Sequence, residues 1–360
     1  MNTQTIHRIT LGRLNEFLSG PDYERYVVKP ISRQRAQSYL RNPHASISDV
    51  VLYYIVDDEQ IIAFRTIWAD KVQTLRGVVK FGWCSGTWVH PGMRRKGLSQ
   101  LLLREAYSDW NMKLMFTNYA PQSLEGNLKT KLFKAKIERI GMRFYLMADY
   151  KKLLQQKTRN AFTRFVALIG ANVIKPGVNL KLKFYKQPSF DGFLINETEH
   201  YTNDFFDDRE LGKSLFVRHT SNYEWIFAHR WITLNTTDKQ NYPFSLFRTS
   251  FRYFFIKMHN SKNVSARLIV SVSDGNAKLL YASAPDYMQY DLMKYLVFWS
   301  AGHKIKTLTV VDPFWAGIVE NTPSPFLIKK PFSMHIFSTF DFDYDQSMKI
   351  HAGDGDYIFT

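Results

Sequence analysis

One stretch constrains the chain more than any other: Trp88-Val89-His90-Pro91-Gly92-Met93-Arg94-Arg95-Lys96-Gly97-Leu98-Ser99. The residues before it, Val78 to Val89, alternate well enough for a long strand. Gly82 and Gly86 mark places in it where a bulge or a close backbone approach is tolerated. The residues after it place Leu98, Leu101, Leu102, Ala106 and Trp110 on one helical face. A strand, a short basic loop with glycine and a helix in that order leave backbone N–H groups unpaired at the helix N-terminus. Such a cradle favours negative charge. The phosphates of a nucleotide or of coenzyme A are the obvious anions.

The chain has 360 residues, more than one ordinary core supports, so two domains are expected. Its apolar fraction of 45% and aromatic fraction of 16% belong to a folded chain with large cores. A net charge of +16 suits an anionic partner: a phosphorylated cofactor, an acidic polymer or a membrane surface. Charge alone does not choose among these. Cys84 is the single cysteine, which excludes an intramolecular disulfide and a cysteine-rich metal site. No apolar run is long enough to span a bilayer, and the first residues lack the apolar core of a signal peptide. A cytoplasmic location is the expectation.

The first part of the chain reads as a strand at Ile6–Ile9, a helix at Leu11–Leu18, and a second helix capped by Ser32 and running to Leu40. Strands follow at Val50–Val56, Ile61–Trp68 and Val78–Val89. Then come the helix from Leu98, a strand at Lys113–Tyr119, a helix from about Ser123 to Ile140 closed by Gly141, and a strand at Arg143–Tyr150. This order, with Arg94-Arg95-Lys96-Gly97-Leu98-Ser99 between the fourth strand and the third helix, resembles the GNAT superfamily of acyl-CoA N-acyltransferases. The family fingerprint is Gln/Arg-x-x-Gly-x-Gly/Ala, and Ser99 here stands in the last place. The resemblance covers about residues 1–150.

It implies an α/β (α+β) fold in which a mixed, mostly antiparallel central sheet is flanked by helices. It also implies acetyl-CoA or another acyl-CoA as cosubstrate, with no metal. Arg94, Arg95, Lys96, Gly97, Leu98 and Ser99 would hold the pyrophosphate, and Gly97 would let the backbone come close. Trp88 and Val89 would pair with the pantetheine arm as an added strand, and a backbone N–H there would polarise the thioester carbonyl. Asn118 would sit beside the pantetheine where two strands splay. Asn118 and Tyr119 are the candidate catalytic residues. Family members that carry a tyrosine in the fourth helix have it where Ile137 stands here. Members with a glutamate on the fourth strand have it in the neighbourhood of Trp83-Cys84-Ser85-Gly86-Thr87, which holds no carboxylate. A water-mediated base, or one from another segment, is left, with Asp70 and His90 as candidates.

Residues 151–190 are strongly basic and read as a linker containing an apolar helix segment, Phe162–Ile169. Contact with a membrane surface or an acidic polymer is the second reading of that segment. From about residue 191 the pattern restarts. A strand at Phe193–Asn196 and helices at Tyr201–Leu211 and around Tyr223–Phe227 are followed by strands at Ser245–Met258, Ala266–Val272 and Ala277–Ala282. A helix at Asp286–Ser300 and a strand at Ile305–Val311 complete the set. The expected domains are therefore residues 1–150, which bind acyl-CoA, the linker 151–190, and a second, diverged GNAT-like unit, 191–360, on the acceptor side. No Arg-x-x-Gly occurs between Tyr281 and the following helix, and Asp286 there would repel phosphate. Tandem arrangements of this kind resemble mycothiol synthases, protein N-myristoyltransferases and Fem-type aminoacyltransferases at the level of architecture.

No metal-ligand spacing is evident among the histidines, and Gly353-Asp354-Gly355-Asp356 reads as a turn. Cys84 reads as core. Two functions follow. The first is acyl transfer, acetyl above all, to an amine of a small-molecule, sugar or peptide-like acceptor by direct attack on the thioester, with an anionic acceptor suited to the charge. The second is a weakly catalytic or non-catalytic module that senses acyl-CoA or binds an anionic polymer. No nucleic-acid-reading motif is present to support specific nucleic-acid binding.

Overall fold

The structure, a computed structural model, describes residues 5–118, 121–146, 176–177, 180–182, 185, 188–206, 211–234, 241–262, 264–326 and 328–360. In chain order the first elements are β1 Ile6–Thr10, α1 Leu11–Ser19, α2 Pro21–Arg25, α3 Arg33–Leu40, β2 Val50–Asp57, β3 Gln60–Thr74 and β4 Gly77–Val89. They are followed by α4 Leu98–Asp109, β5 Leu114–Thr117, α5 Pro121–Leu128, β6 Ala135–Ile137, β7 Ile140–Tyr145 and β8 Phe193–Thr198. Then come α6 Thr220–Ala228, β9 Ile232–Thr233, β10 Leu246–Phe247, β11 Phe251–Asn260, β12 Ser265–Ser273 and β13 Asn276–Ser283. The last are α7 Gln289–Gly302, β14 Thr307–Val310, α8 Pro313–Asn321, β15 Ile328–Ser333 and β16 Ile336–Ser338. Short 3-10 turns cover Pro91–Met93, Asp286–Met288 and Asp356–Phe359.

The chain forms two compact units, each assembled from separate pieces. The first comprises Met1–Glu138, Tyr201–Arg248 and Met334–Thr360, and the second Arg139–His200 and Thr249–Ser333. The first unit is built on a seven-stranded sheet of order β1-β2-β3-β4-β5-β16-β6. Only β4 and β5 run parallel; every other pairing in it is antiparallel. A parallel pair needs a crossover, and α4 supplies it. Leu98, Leu102, Leu103 and Ala106 of α4 pack on Ala63, Ile67, Ala69 and Cys84 of the sheet, and this fixes where the N-terminus of α4 emerges. Ser32 caps α3, its hydroxyl accepting from the Arg35 N–H at 3.1 Å, as the sequence leads one to expect.

The second unit repeats the plan. Its sheet has the order β15-β7-β14-β13-β12-β11-β8, again with one parallel pair, β13 and β14, joined through α7. Phe254, Ile256, Leu268, Val270, Leu279 and Leu308 form its core with Met293, Leu296 and Val297 of α7. The two sheets exchange strands. After α5 and β6 the chain leaves the first unit, and β7 inserts between β14 and β15 of the second. After α8 and β15 it returns, and β16 inserts between β5 and β6 of the first.

This exchange corrects the expected boundaries at 150 and 191. Strand β7 belongs to the second unit, and Tyr201–Arg248 and Met334–Thr360 belong to the first. Local patterning marks a strand but not the sheet it joins, so the boundary drawn from the basic composition after residue 150 falls in the wrong place. The helix expected to run to Ile140 ends at Leu128, and Ile137 lies on β6. Gly141 is not a helix terminus but a residue of β7, where an added Cβ would stand 1.9 Å from the Val310 carbonyl oxygen. Residues 201–206 of the expected Tyr201–Leu211 helix are not helical. The apolar segment Phe162–Ile169 and nearly all of the basic linker lie outside the described residues. Among the described residues no helix is long and apolar enough to cross a membrane.

Candidate functional site

The loop between β4 and α4 has the backbone of an anion nest. Arg95 (φ 66°) and Gly97 (φ 80°) are both left-handed, with Lys96 between them. Alternation of this kind turns successive N–H groups toward one concavity. Gly97 is the N-cap of α4 and offers no side-chain cap; the helix ladder starts with Gln100 and Leu101 donating to its carbonyl. Arg94, Arg95, Lys96 and Gly97 are exposed, and Leu98 turns inward as the first core residue of α4. His90 braces the entry, its Nδ1 accepting from the Gly92 N–H at 3.2 Å. That bond gives His90 a local role as the cap of the Pro91–Met93 turn.

Arg65 of β3 comes to the same place from below. Its side chain is buried, with Nη2 3.4 Å from the Ser99 carbonyl oxygen and 3.3 Å from Asn127 Oδ1. Its Nε and Nη1 have no hydrogen-bond partner. Burial pulls the Arg65 guanidinium down from its usual pKa, and the neighbouring Cys84 thiol opposes that shift. Cys84 is buried, and its own pKa is raised by burial. It lies in the core beneath α4, as its position on an apolar strand implies. An uncapped helix start, a nest and three exposed basic residues, with the buried Arg65 guanidinium beneath them, together fit a polyanion such as a pyrophosphate.

Strands β4 and β5 pair only at Gly82 with Leu114 and at Trp83 with Met115. Beyond that they part, while β5 stays paired on its other side with β16 through Thr117. The β5-facing edge of β4 from Cys84 to Val89 is thus without a strand partner among the described residues. Trp88 and Val89 lie on this open stretch, Trp88 stacked on Phe64 at 5.7 Å and Val89 packed toward α4. Asn118 follows β5 at the mouth of the opening. It is tied to the residue before β16: its N–H donates to the His335 carbonyl at 3.2 Å, and its Oδ1 accepts from the His335 N–H at 2.5 Å. Tyr119 lies outside the described residues.

At the point of parting β4 carries a bulge. Arg65 pairs with Thr87 and Ile67 with Cys84, so Ser85 and Gly86 together oppose Thr66. Gly86 has φ 101°. The Ser85 carbonyl is held by Arg35 Nη1 at 3.0 Å and by the Thr66 hydroxyl. Arg35 also donates to the Tyr242 hydroxyl at 2.7 Å and lies over the Trp231 ring at 3.9 Å. The Ser85 hydroxyl donates to Asp356 Oδ2 at 3.0 Å. This carboxylate is supplied from 271 residues away.

Asp70 is removed as a candidate base. It is fully buried and bound to Arg218 by two hydrogen bonds of 2.7 and 2.9 Å. Arg35, Tyr242 and Asp356 were not singled out from the sequence. The one signal for Asp356 is its place in Gly353-Asp354-Gly355-Asp356, read there as a turn. In the second unit the turn between β13 and α7 has no left-handed residue, and Gln289 donates to Asp286 at 2.9 Å.

No model of a known protein family matches the chain, and no curated protein does. Among solved structures, one similar to this chain is a conserved protein of unknown function from Enterococcus faecalis V583, described as a probable N-acyltransferase. The likeness covers 93% of this chain and 72% of that one at 10% identity, with a TM-score of 0.50. A tandem GNAT protein from the clavulanic acid biosynthesis pathway is similar over 94% of this chain and all of its own, at 9% identity and a TM-score of 0.46. A GCN5-related N-acetyltransferase from Kribbella flavida is 14% identical over 93% of this chain and 71% of its own, with a TM-score of 0.46. At these identities likeness speaks to the fold alone. In each unit an antiparallel meander leads into one helix-linked parallel strand pair with two further strands beyond it, and the chain thus has the fold of the GNAT superfamily, in two units.

Proposed function

We propose that the protein is an acyl-CoA-dependent N-acyltransferase whose cosubstrate is held by the first unit. The observation that carries this reading is the left-handed pair Arg95 and Gly97 at the uncapped start of α4, placed at the end of a strand that has lost its neighbour. Pyrophosphate oxygens would accept from the N–H groups of Arg95 to Ser99, with Arg94, Arg95 and Lys96 adding charge. The open edge of β4 near Trp88 and Val89 would pair with the amide-bearing pantetheine arm as a strand does. Asn118 would border that arm. Bound there, an acyl-CoA supplies a thioester carbonyl for an amine to attack. The protein's share is to orient the two reactants, exclude water and move protons. The description of the Enterococcus faecalis protein agrees with this reading.

The test is thermal unfolding with acetyl-CoA and longer acyl-CoAs. A ligand present at about 100 times its Kd stabilises by about 2.7 kcal/mol, which displaces the midpoint clearly. Gly97→Glu places a carboxylate in the nest and is expected to abolish the displacement. An unmoved wild-type midpoint with every coenzyme A form, or an undiminished response in Gly97→Glu, overturns the proposal. Binding without thiol release to any amine leaves the sensing module as the function.

A further inference from the structure

We infer that Arg35 and Tyr242 are positioning residues for acyl transfer: together they fix the bulge of β4, and with it the backbone that would face the thioester; this rests on the acyltransfer reading above. A bulge leaves its extra residue outside the ladder, so the backbone there is held by what packs against it. Ser85 and Gly86 form the bulge, at the start of the open edge of β4. The Ser85 carbonyl accepts from Arg35 Nη1 at 3.0 Å and from the Thr66 hydroxyl. A peptide unit is planar and trans. Pinning this oxygen therefore fixes the whole Ser85–Gly86 unit and turns the Gly86 N–H to the side away from Arg35.

Gly86 is shaped to the clamp. At φ 101° it takes a conformation that suits glycine. An added Cβ would stand 3.0 Å from Arg35 Nη1, 3.1 Å from Thr66 Oγ1 and 3.3 Å from the Tyr242 hydroxyl. The three polar groups thus close directly on the bulge. Arg35 is buried, and its hydrogen bonds go to a backbone carbonyl and a hydroxyl. Burying a guanidinium is costly. What the cation secures here is the course of β4 where it parts from β5.

Arg35 is held in turn. Its Nη1 also donates to the Tyr242 hydroxyl at 2.7 Å, and its guanidinium lies over the Trp231 ring at 3.9 Å. Burial raises the Tyr242 phenol, so the hydroxyl stays neutral. Trp231 and Tyr242 belong to Tyr201–Arg248, a later piece of the first unit. Gln34, beside Arg35 on α3, fastens that piece. Its Nε2 donates to the carbonyls of Arg230 and Ile232 at 2.8 and 2.9 Å, and its Oε1 accepts from the Thr233 hydroxyl at 2.9 Å. The Tyr242 ring stacks on Phe64 at 5.9 Å, and Phe64 stacks on Trp88 at 5.7 Å. The clamp therefore meets the open edge of β4 twice, at the Ser85 carbonyl and, through Phe64, at Trp88. Misplacing a reacting group by about 1 Å costs about 100-fold in rate, so a bulge free to shift would be felt in turnover.

The experiment compares wild type with Tyr242→Phe, Arg35→Lys and Arg35→Met. Thermal unfolding establishes which of them fold; Tyr242→Phe keeps the ring on Phe64 and removes only the hydroxyl. Each is saturated with acetyl-CoA carrying carbon-13 at the carbonyl, and the infrared band of that carbonyl is compared with its position in solution. In wild type a backbone donor beyond the bulge should lower the band. In Tyr242→Phe and Arg35→Met the band should return most of the way to its solution position, with Arg35→Lys in between. Affinity for acetyl-CoA should stay within about threefold, because the nest is formed by other residues, while kcat for thiol release with spermidine, glucosamine, lysine and tyramine should fall about 10-fold or more. A band that keeps its wild-type position in Tyr242→Phe and Arg35→Met overturns the inference whatever the rates, since a clamp needed only for folding would leave it there. A wild-type band at the solution position overturns it as well. Wild type that binds acetyl-CoA but releases no thiol to any of the amines also counts against it. Failure of wild type to bind acetyl-CoA instead overturns the acyltransfer reading itself.

Discussion

Arg218 closes on Asp70 with both ends of its guanidinium, at 2.7 and 2.9 Å, and neither side chain reaches solvent. Asp70 is on β3, and Arg218 precedes α6, so the pair joins the N-terminal sheet to a segment 148 residues away. Asp354 extends the group, 3.8 Å from Arg218, while its Oδ2 accepts from the His351 N–H at 2.7 Å. The pair and its neighbours therefore hold the two later pieces of the first unit onto the first.

Breaking the pair from one side leaves a buried charge unmatched. Asp70→Asn and Arg218→Met are each expected to cost about 3–5 kcal/mol, far more than a surface ion pair. Urea unfolding followed by a probe in the first unit checks this. A cost below about 1 kcal/mol would mean that the pair is solvated in the protein.

His44 adds a pH dependence. Its Nε2 lies 3.0 Å from Asn222 Nδ2 and 3.1 Å from the Val217 carbonyl. Burial pushes its pKa down to about 4 from 6.5; Asp70, 3.7 Å away, opposes the shift, but Arg218 already matches that carboxylate. Below pH 6.5 the unfolded chain takes up a proton that the folded chain refuses. Stability is thus whole above 6.5 and declines as pH falls toward 4, by about 3 kcal/mol for the full interval. Urea midpoints measured across that range should fall in wild type and fall less in His44→Gln. Equal slopes would assign the acid sensitivity to other groups.

What the sequence makes legible here is what local chemistry decides. The nest at Arg95 and Gly97, the cap at Ser32 and most of the helical face from Leu98 depend on neighbours within a few positions and are where their patterns lead one to look; Leu101, expected on that face, is exposed, and Leu103 is buried instead. The strand exchange is not of this kind. Residues 140–145 are as good a strand beside β6 as between β14 and β15, and only the completed sheets decide. Asp356 was hidden for the same reason. A Gly-Asp repeat specifies a turn, while its value to β4 depends on contacts across the whole chain.

Gly141 gives a test of the exchange in the second unit. Its Cβ position is occupied: 1.9 Å from the Val310 oxygen and 2.7 Å from the Val311 Cα, both backbone atoms that cannot rotate away. Gly141→Ala should therefore force β7 and β14 apart and cost more than about 2 kcal/mol, above the 1–3 kcal/mol middle of overpacking costs. Hydrogen exchange should accelerate in β7, β14 and β15. If Gly141 were a helix terminus, the same substitution would leave those strands protected.

Gly355→Ala asks the corresponding question of the first unit. The substitution meets the Trp83 ring at 2.4 Å and is strained at φ 86°, so relief requires the segment to lift from β4 and β5. The expected result is proteolytic cleavage near residues 350–356 at concentrations that spare wild type. The nest is formed by other residues, so acetyl-CoA should still displace the melting midpoint. Loss of binding would instead mean that this segment supports the cradle.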